Sequence, residues 1–278
     1  MRQSLFVGRT LVIATQHQKE KVIAPALEAV LGVRCIVPDQ FDSDRFGTFS
    51  GEIPRIKTPL ETARDKCIAA MQQSGCSLGI ASEGSFGPHP AMGFLPCNEE
   101  WLLLLDTRHQ LEIVAREWST VTNFSHRDIS SFASLLDFAQ KIGFPEHRLI
   151  LRAGDTCWKG IGTPEELARV YDLACASGQD IRAETDMRAM YNPTRMQVIA
   201  KAVGQLLTYL QSECPGCGMP GFVVTSTEAG LPCSLCTSPT RAPLRSTRQC
   251  KHCPYSDSTL FPQGKIHEDP EYCDYCNP

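Results

Sequence analysis

The sequence has no excess of basic charge and no long apolar run. Its 278 residues carry 27 Lys and Arg against 31 Asp and Glu, a formal net charge of −4. That balance excludes a surface coated with positive charge for nucleic acid, though a local patch remains compatible with it. No apolar stretch approaches the roughly 20 residues of a membrane-spanning helix, so no membrane partner is expected. The N-terminal stretch MRQSLFVGRTLVIAT has one early arginine and a short apolar run, but no small-residue cleavage site with a polar break after it. It reads as a first strand and not as a signal peptide.

Two enzyme signatures are also missing. A serine-hydrolase elbow needs G-x-S-x-G, whereas residues 83–87 read E-G-S-F-G, with Glu83 where the first glycine belongs. Asp106 ends an apolar strand as a phosphatase nucleophile would, but Arg108 stands where a second aspartate is expected.

Cysteine, in contrast, is plentiful and uneven. Six of the 14 cysteines are scattered singly and read as small buried apolar residues. The other eight form four C-x-x-C pairs: Cys214 and Cys217, Cys233 and Cys236, Cys250 and Cys253, Cys273 and Cys276. Both sulfurs of such a pair reach one ion from a tight turn, and two pairs complete a tetrahedral all-thiolate site suited to structural Zn²⁺. Eight thiolates make two sites. A disulfide-stapled tail is disfavoured because no secretory signal accompanies the cysteines, and a reducing cytoplasm is the expected location. An iron–sulfur cluster is a lesser rival. Pairing is open between sequential (first with second, third with fourth) and cross-braced (first with third, second with fourth). CPGCG followed by CSLC resembles a zinc ribbon, so sequential pairing is the expectation. A segment so poor in apolar residues takes its folding energy from metal. Arg241, Arg245, Arg248 and Lys251 balance the charge of the thiolate sites or touch phosphates.

Upstream of Gln211 the chain alternates strand-like and helix-like segments, which predicts an α/β domain with a mixed sheet over residues 1–212. Residues 213–278 form the small Cys-rich, zinc-ribbon-like module. Strands are expected at LFVGRTLVIAT, VRCIVP, SLGIAS, HRLILRAG and DIRAET, with a hairpin joining WLLLLD to LEIVAREW. Helices are expected from about Ala24, where Pro25 suits a first turn, after the capping signals Thr58-Pro59-x-Glu61 and Thr163-Pro164-x-Glu166, and after Asn192-Pro193. FDSDRFGTFSGEIPR reads as an irregular loop in which Asp42 and Asp44 form turns.

Chemistry-bearing residues fall where these strands end. Glu83 closes an apolar strand, at the edge where α/β folds bind ligands, and the following Gly84, Ser85, Gly87 and prolines read as a constrained loop. Thr15, Gln16 and Lys19 follow the first strand at a helix start that favours an anion. Glu61 and Asp65 share a helix. Asp186 and Arg188 follow the last strand, with Asn192 and Arg195 beyond them. Those four are open to two readings: phosphate or base contacts, or an ion pair and a helix cap. His89 and His126 read as hydrogen-bonding loop residues.

TQHQK, ETARDK and the strand running into Glu83-Gly84 resemble, over residues 9–120, the inosine/xanthosine triphosphate pyrophosphatase and Maf superfamily. The resemblance implies phosphate binding by Thr15 and Lys19, with Gln16 where that superfamily has asparagine. It also implies a Mg²⁺ held by Glu83, with a loose match at Glu61. FDSDRFGTFSGEIPR, ASEGSFGPHP, ETDMRAMYNPTRM and CDYCNP together resemble an uncharacterised bacterial family, a domain of unknown function with a zinc-ribbon-like end. The resulting expectation is Mg²⁺-assisted hydrolysis of a phosphoanhydride in a small nucleotide-like ligand. Glu83 with Glu61 or Asp65 would hold the metal, and Lys19 and Arg188 or Arg195 would stabilise the leaving phosphate. The alternative is a non-enzymatic zinc-binding protein that docks nucleic acid or a protein through its Cys-rich module.

Overall fold

In the computed structural model, residues 5–47, 54 and 56–278 are described, and the chain divides into two compact units, Met1–Leu206 and Leu207–Pro278. The 48–53 part of the predicted FDSDRFGTFSGEIPR loop, and Arg55, lie outside the described residues.

Unit 1 contains two sheets among the described residues. The first is built from β1 (Thr10–Ala14), β2 (Arg34–Ile36), β3 (Leu78–Pro88), β4 (Pro96–Asp106) and β5 (Leu111–Ser119), in the order β2-β1-β3-β4-β5. β1 runs parallel to both β2 and β3, while β3, β4 and β5 form an antiparallel meander. The sheet is therefore mixed, as the alternation of elements predicts. Helix α1 (Glu20–Leu31) links β1 to β2, and α2 (Pro59–Ser74) packs on β1, β3 and β4. α2 buries Ala63, Cys67, Ala70 and Met71 against Val12, Ala81 and Leu103. Gly79 has no side chain because a Cβ there would lie 2.7 Å from Met71 and 2.9 Å from Cys67.

The second sheet is antiparallel. It comprises β6 (His126–Ile129), β7 (Leu149–Ala153), β8 (Thr156–Ile161) and β9 (Ile181–Thr185), in the order β6-β9-β7-β8. Helices α3 (Phe132–Ile142) and α4 (Pro164–Ala176) cover it with Leu135, Phe138, Leu167 and Val170. Helix α5 (Pro193–Gln211) follows. β6 and β8 carry no clean alternation of apolar and polar residues, so periodicity alone passes them over.

Two local expectations are corrected. α1 begins at Glu20 and not near Ala24, with Pro25 inside it. The Val22 and Ile23 amides already bond to the Lys19 carbonyl, so the helix is established before Pro25 withdraws its donor. The segment after Glu83 is also not a loop. β3 continues through EGSFGP, with Glu83 opposite Trp101, Gly84 opposite Glu100 and Gly87 opposite Cys97 on β4.

Unit 2 holds an antiparallel sheet of β10 (Val224–Ala229), β11 (Pro243–Gln249) and β12 (Ser256–Leu260) in sequence order. Every residue of β10 and β12 is exposed. No described helix of the chain is long and apolar enough to cross a membrane.

Candidate ligand cleft and metal centres

β1 and β9 end at one cavity of about 400 Å³ in unit 1, and the middle of β3 runs along it. Thr15, His17 and Lys19 enter it after β1, Ser82, Glu83, Ser85 and Phe86 from β3, and Glu184 to Arg188 from β9 and beyond. Lys66 of α2, Asp44 and Lys159 complete its charged wall. Phe86 and Phe124 face each other with ring centroids 5.6 Å apart and planes 30° apart, giving the cavity an aromatic side.

The charges are organised in pairs. Glu83 and Lys66 form a buried ion pair. Asp186 is fully buried and accepts from Arg188 Nη2 at 2.6 Å, Arg188 Nε at 3.0 Å and the Gly160 amide at 3.1 Å. Its carboxylate stands behind Arg188 and leaves that guanidinium partly open to the cavity. Burial lowers Arg188, but its bonds to Asp186 outweigh this and raise it, so it stays charged. Asp44 lies 3.6 Å from the His17 ring. Burial lowers His17 despite that carboxylate, with Lys19 and Arg195 adding to the effect. Glu184 is held by Arg152 at 2.9 Å.

Lys19 differs from these. Its Nζ donates to the Ser82 Oγ at 2.9 Å and the Ser82 carbonyl at 3.1 Å. Burial first, and then the charges of Arg195 and Lys66, together lower its pKa to about 7 against the opposing pull of Glu100 and Glu83.

The cleft thus gathers Thr15, Lys19, Glu83, Ser85, Asp186 and Arg188. Other candidates lie elsewhere, each for a local reason. Gln16 accepts from the Ser43 amide at 3.1 Å and fastens the segment beside the cleft. Glu61 closes the capping box of α2, accepting from the Thr58 amide at 2.9 Å and hydroxyl at 2.7 Å. Asp65 pairs with Lys57 at the surface. Helix geometry separates them from the site: Thr62, Ala63, Lys66 and Cys67 turn inward on α2, which leaves Glu61 and Asp65 outward. Asn192 caps α5 through the Arg195 amide at 2.9 Å. Arg195 is itself fully buried, donating through Nε to Glu100 at 2.6 Å and through Nη1 to the Met187 carbonyl at 2.5 Å.

That pair explains Gly84. A Cβ there would lie 2.5 Å from both the Arg195 guanidinium and the Glu100 carboxylate. The glycine makes room for an internal ion pair and not for a ligand. Gly84→Ala is expected to destabilise the chain by about 1–3 kcal/mol through overpacking, read as a lower thermal midpoint. An unchanged midpoint would remove this account.

Residues missed in the sequence are His17, Ser82, Lys159 and Glu184. His17 lies inside TQHQK and Ser82 directly precedes Glu83 on β3; neither carries a motif of its own. Asp106, rejected as a phosphatase nucleophile, is a staple: it accepts from Arg9 at 2.5 and 2.8 Å and lies 2.7 Å from His109 Nδ1.

For Mg²⁺ the cleft does not fit. Glu83 is bonded to an ammonium, Glu61 and Asp65 are elsewhere, and the groups of three or more converging His, Cys, Asp or Glu donors among the described residues are both cysteine groups.

Those cysteine groups fit a tetrahedral ion. One is Cys214, Cys217, Cys250 and Cys253, the other Cys233, Cys236, Cys273 and Cys276. The first pair joins the third and the second joins the fourth, so the pairing is cross-braced and the sequential expectation is corrected. β10, β11 and β12 carry the chain across the unit and bring distant turns together, which spacing does not reveal. Cys214–Cys253 and Cys217–Cys250 sulfurs are 3.7 Å apart, Cys233–Cys276 3.9 Å and Cys236–Cys273 3.6 Å. A tetrahedron with Zn–S bonds of about 2.3 Å has edges of about 3.8 Å. Amides of Leu235 and His252 donate to Cys233 and Cys250 sulfurs at 3.4 and 3.3 Å. Four thiols this close cannot all ionise without a cation. Hydrogen bonds from Ser238 draw Cys236 down to about 6, and Cys236 in turn helps push Cys276 up to about 12.

Among comparisons with known proteins, the search of curated proteins returned no match. A family model described as "Domain of unknown function (DUF6671)" matches residues 66–278, which runs from within α2 past the last cysteine pair and covers more than half of the sequence. The chain therefore belongs to the DUF6671 family.

Proposed function

We propose that unit 1 binds a small phosphorylated ligand of the nucleotide class in the cavity at the ends of β1 and β9 and beside the middle of β3. The observation that carries this is the convergence of Lys66, Lys159 and Arg188 on one cavity that also has the Phe86–Phe124 wall. Cations suit phosphates, and an aromatic face suits a base. The volume falls within the range of about 300–1,000 Å³ typical of small-molecule sites. Hydrolysis of a phosphoanhydride is the catalytic form of this reading. The matched family is described by no activity, and the engaged Glu83 gives resident Mg²⁺ no support, so the chemistry is assigned to side chains alone.

We propose Zn²⁺ for both cysteine groups, on the sulfur spacing and the all-thiolate donor set. Its role there is structural, since all four positions are taken. Two of the arginines that nucleic acid would need in this unit face carboxylates instead: Arg241 pairs with Asp274 at 3.1 Å and Arg245 faces Glu228 at 3.8 Å.

The test is a thermal-shift and phosphate-release panel of nucleoside mono-, di- and triphosphates and inorganic phosphates, with and without Mg²⁺. A bound ligand at 100 times its Kd should stabilise the chain by about 2.7 kcal/mol. Arg188→Gln should weaken binding by about 1.5–3 kcal/mol, the usual worth of a hydrogen bond to a charged group. A panel with no shift at all would end this reading.

A further inference from the structure

We infer that Ser82 and Lys19 are a nucleophile–base pair for attack at phosphorus within the cavity. The inference takes its substrate from the phosphorylated-ligand reading and adds the reacting groups.

A serine hydroxyl is a weak nucleophile until a base lies within hydrogen-bond reach. Here the Lys19 Nζ is 2.9 Å from the Ser82 Oγ, and both residues are buried and line the cavity. Lysine serves as the base in such pairs when it is neutral. A lysine buried for structural reasons is normally paired with a carboxylate. Lys19 instead bonds Ser82 twice, while the neighbouring carboxylate, Glu83, is taken by Lys66. The charged groups that set its protonation are Arg195 of α5, Glu100 of β4, Glu83 of β3 and Lys66 of α2, and His17 lies two residues before it. Burial, Arg195 and Lys66 favour the free amine. Lys66 and Arg188 remain to face the phosphoryl oxygens.

Neutral Lys19 takes the proton of the Ser82 hydroxyl while the Oγ–P bond forms and the P–O bond to the leaving group breaks. The leaving oxygen takes that proton from Lys19. Water then attacks phosphorus and gives a proton to Lys19, the P–Oγ bond breaks, and the proton returns to Ser82. One water is consumed for each bond cleaved.

The test treats the full chain with a fluorophosphonate, in which fluoride is the leaving group, and maps the adduct by mass spectrometry. One adduct on Ser82 is expected, forming faster as pH rises through a midpoint near 7. Ser82→Ala should abolish it. Lys19→Met and Lys19→Arg should each slow it by at least about a hundredfold, the lower end for a positioned general base. Lys19→Arg retains a cation beside Ser82, so a native labelling rate in that variant would make Lys19 structural and overturn the pair. Absence of label on Ser82 in the native chain, or a rate indifferent to pH, would overturn it without any variant. Labelling needs no natural ligand. An inert Ser82 in a chain that binds nucleotides sinks the pair alone, and a labelled Ser82 in a chain that binds none sinks the ligand reading alone.

Discussion

With the proposed Zn²⁺ in both cysteine groups, its chelation is expected to unfold residues 207–278 throughout. Unit 2 has almost no core besides its ligands. Its hydrophobic cluster is Cys214, Phe222 and Cys250, with Cys217 and Cys253 packed on it, and two of its three strands are exposed at every position. Structural zinc in small thiolate folds contributes about 10–16 kcal/mol of apparent binding energy at neutral pH, far more than this unit gains from burial. The cross-brace extends the effect. The loop closed by Cys217 and Cys250 contains Cys233 and Cys236, and the loop closed by Cys236 and Cys273 contains Cys250 and Cys253. Neither site can therefore be lost without freeing a segment that the other needs. A single Cys214→Ala or Cys233→Ala substitution should remove amide-exchange protection across both halves of the unit. Sequential pairing would confine the loss to one half. Protection that survives chelation everywhere would show that metal is not what holds the unit.

Arg195→Met alone is expected to destabilise the chain by about 3–5 kcal/mol, because it leaves the Glu100 carboxylate buried without its partner. Glu100→Leu alone should do the same from the other side. Both side chains are at most 1% exposed, so water cannot take over the lost bonds. The double substitution should recover most of the loss, since an apolar pair of similar volume is often neutral or stabilising in place of a buried ion pair. Denaturant unfolding of the four chains gives the coupling energy. Additive single effects would mean that Arg195 and Glu100 do not act on each other, contrary to the geometry at β4 and α5. The Met187 carbonyl, which also accepts from Arg195, sets a floor below full recovery.

Local signals were readable where one element carries its own instructions. Thr58-Pro59-x-Glu61 and Thr163-Pro164-x-Glu166 start helices because their side chains bond to amides three residues away. The TRHQ hairpin between β4 and β5, the mixed character of the first sheet and the metal-ligand spacing of the four C-x-x-C turns are of the same kind. Glu61 shows how such a signal misleads. Its carboxylate was eligible both as a cap and as a metal ligand, and the cap, three residues away, takes it.

What the sequence determined by itself was chemistry on the scale of one turn or one strand: eight thiolates in pairs, a carboxylate beside a glycine, a lysine after the first strand. Tertiary structure alone decided which of these meet. It set Lys66 on Glu83, Arg195 against Gly84, Lys19 on Ser82, and the first cysteine pair with the third. The reason is that side-chain partners in a folded chain are fixed by strand order and helix facing. Those are properties of how elements pack over long separations, and no spacing within a motif encodes them.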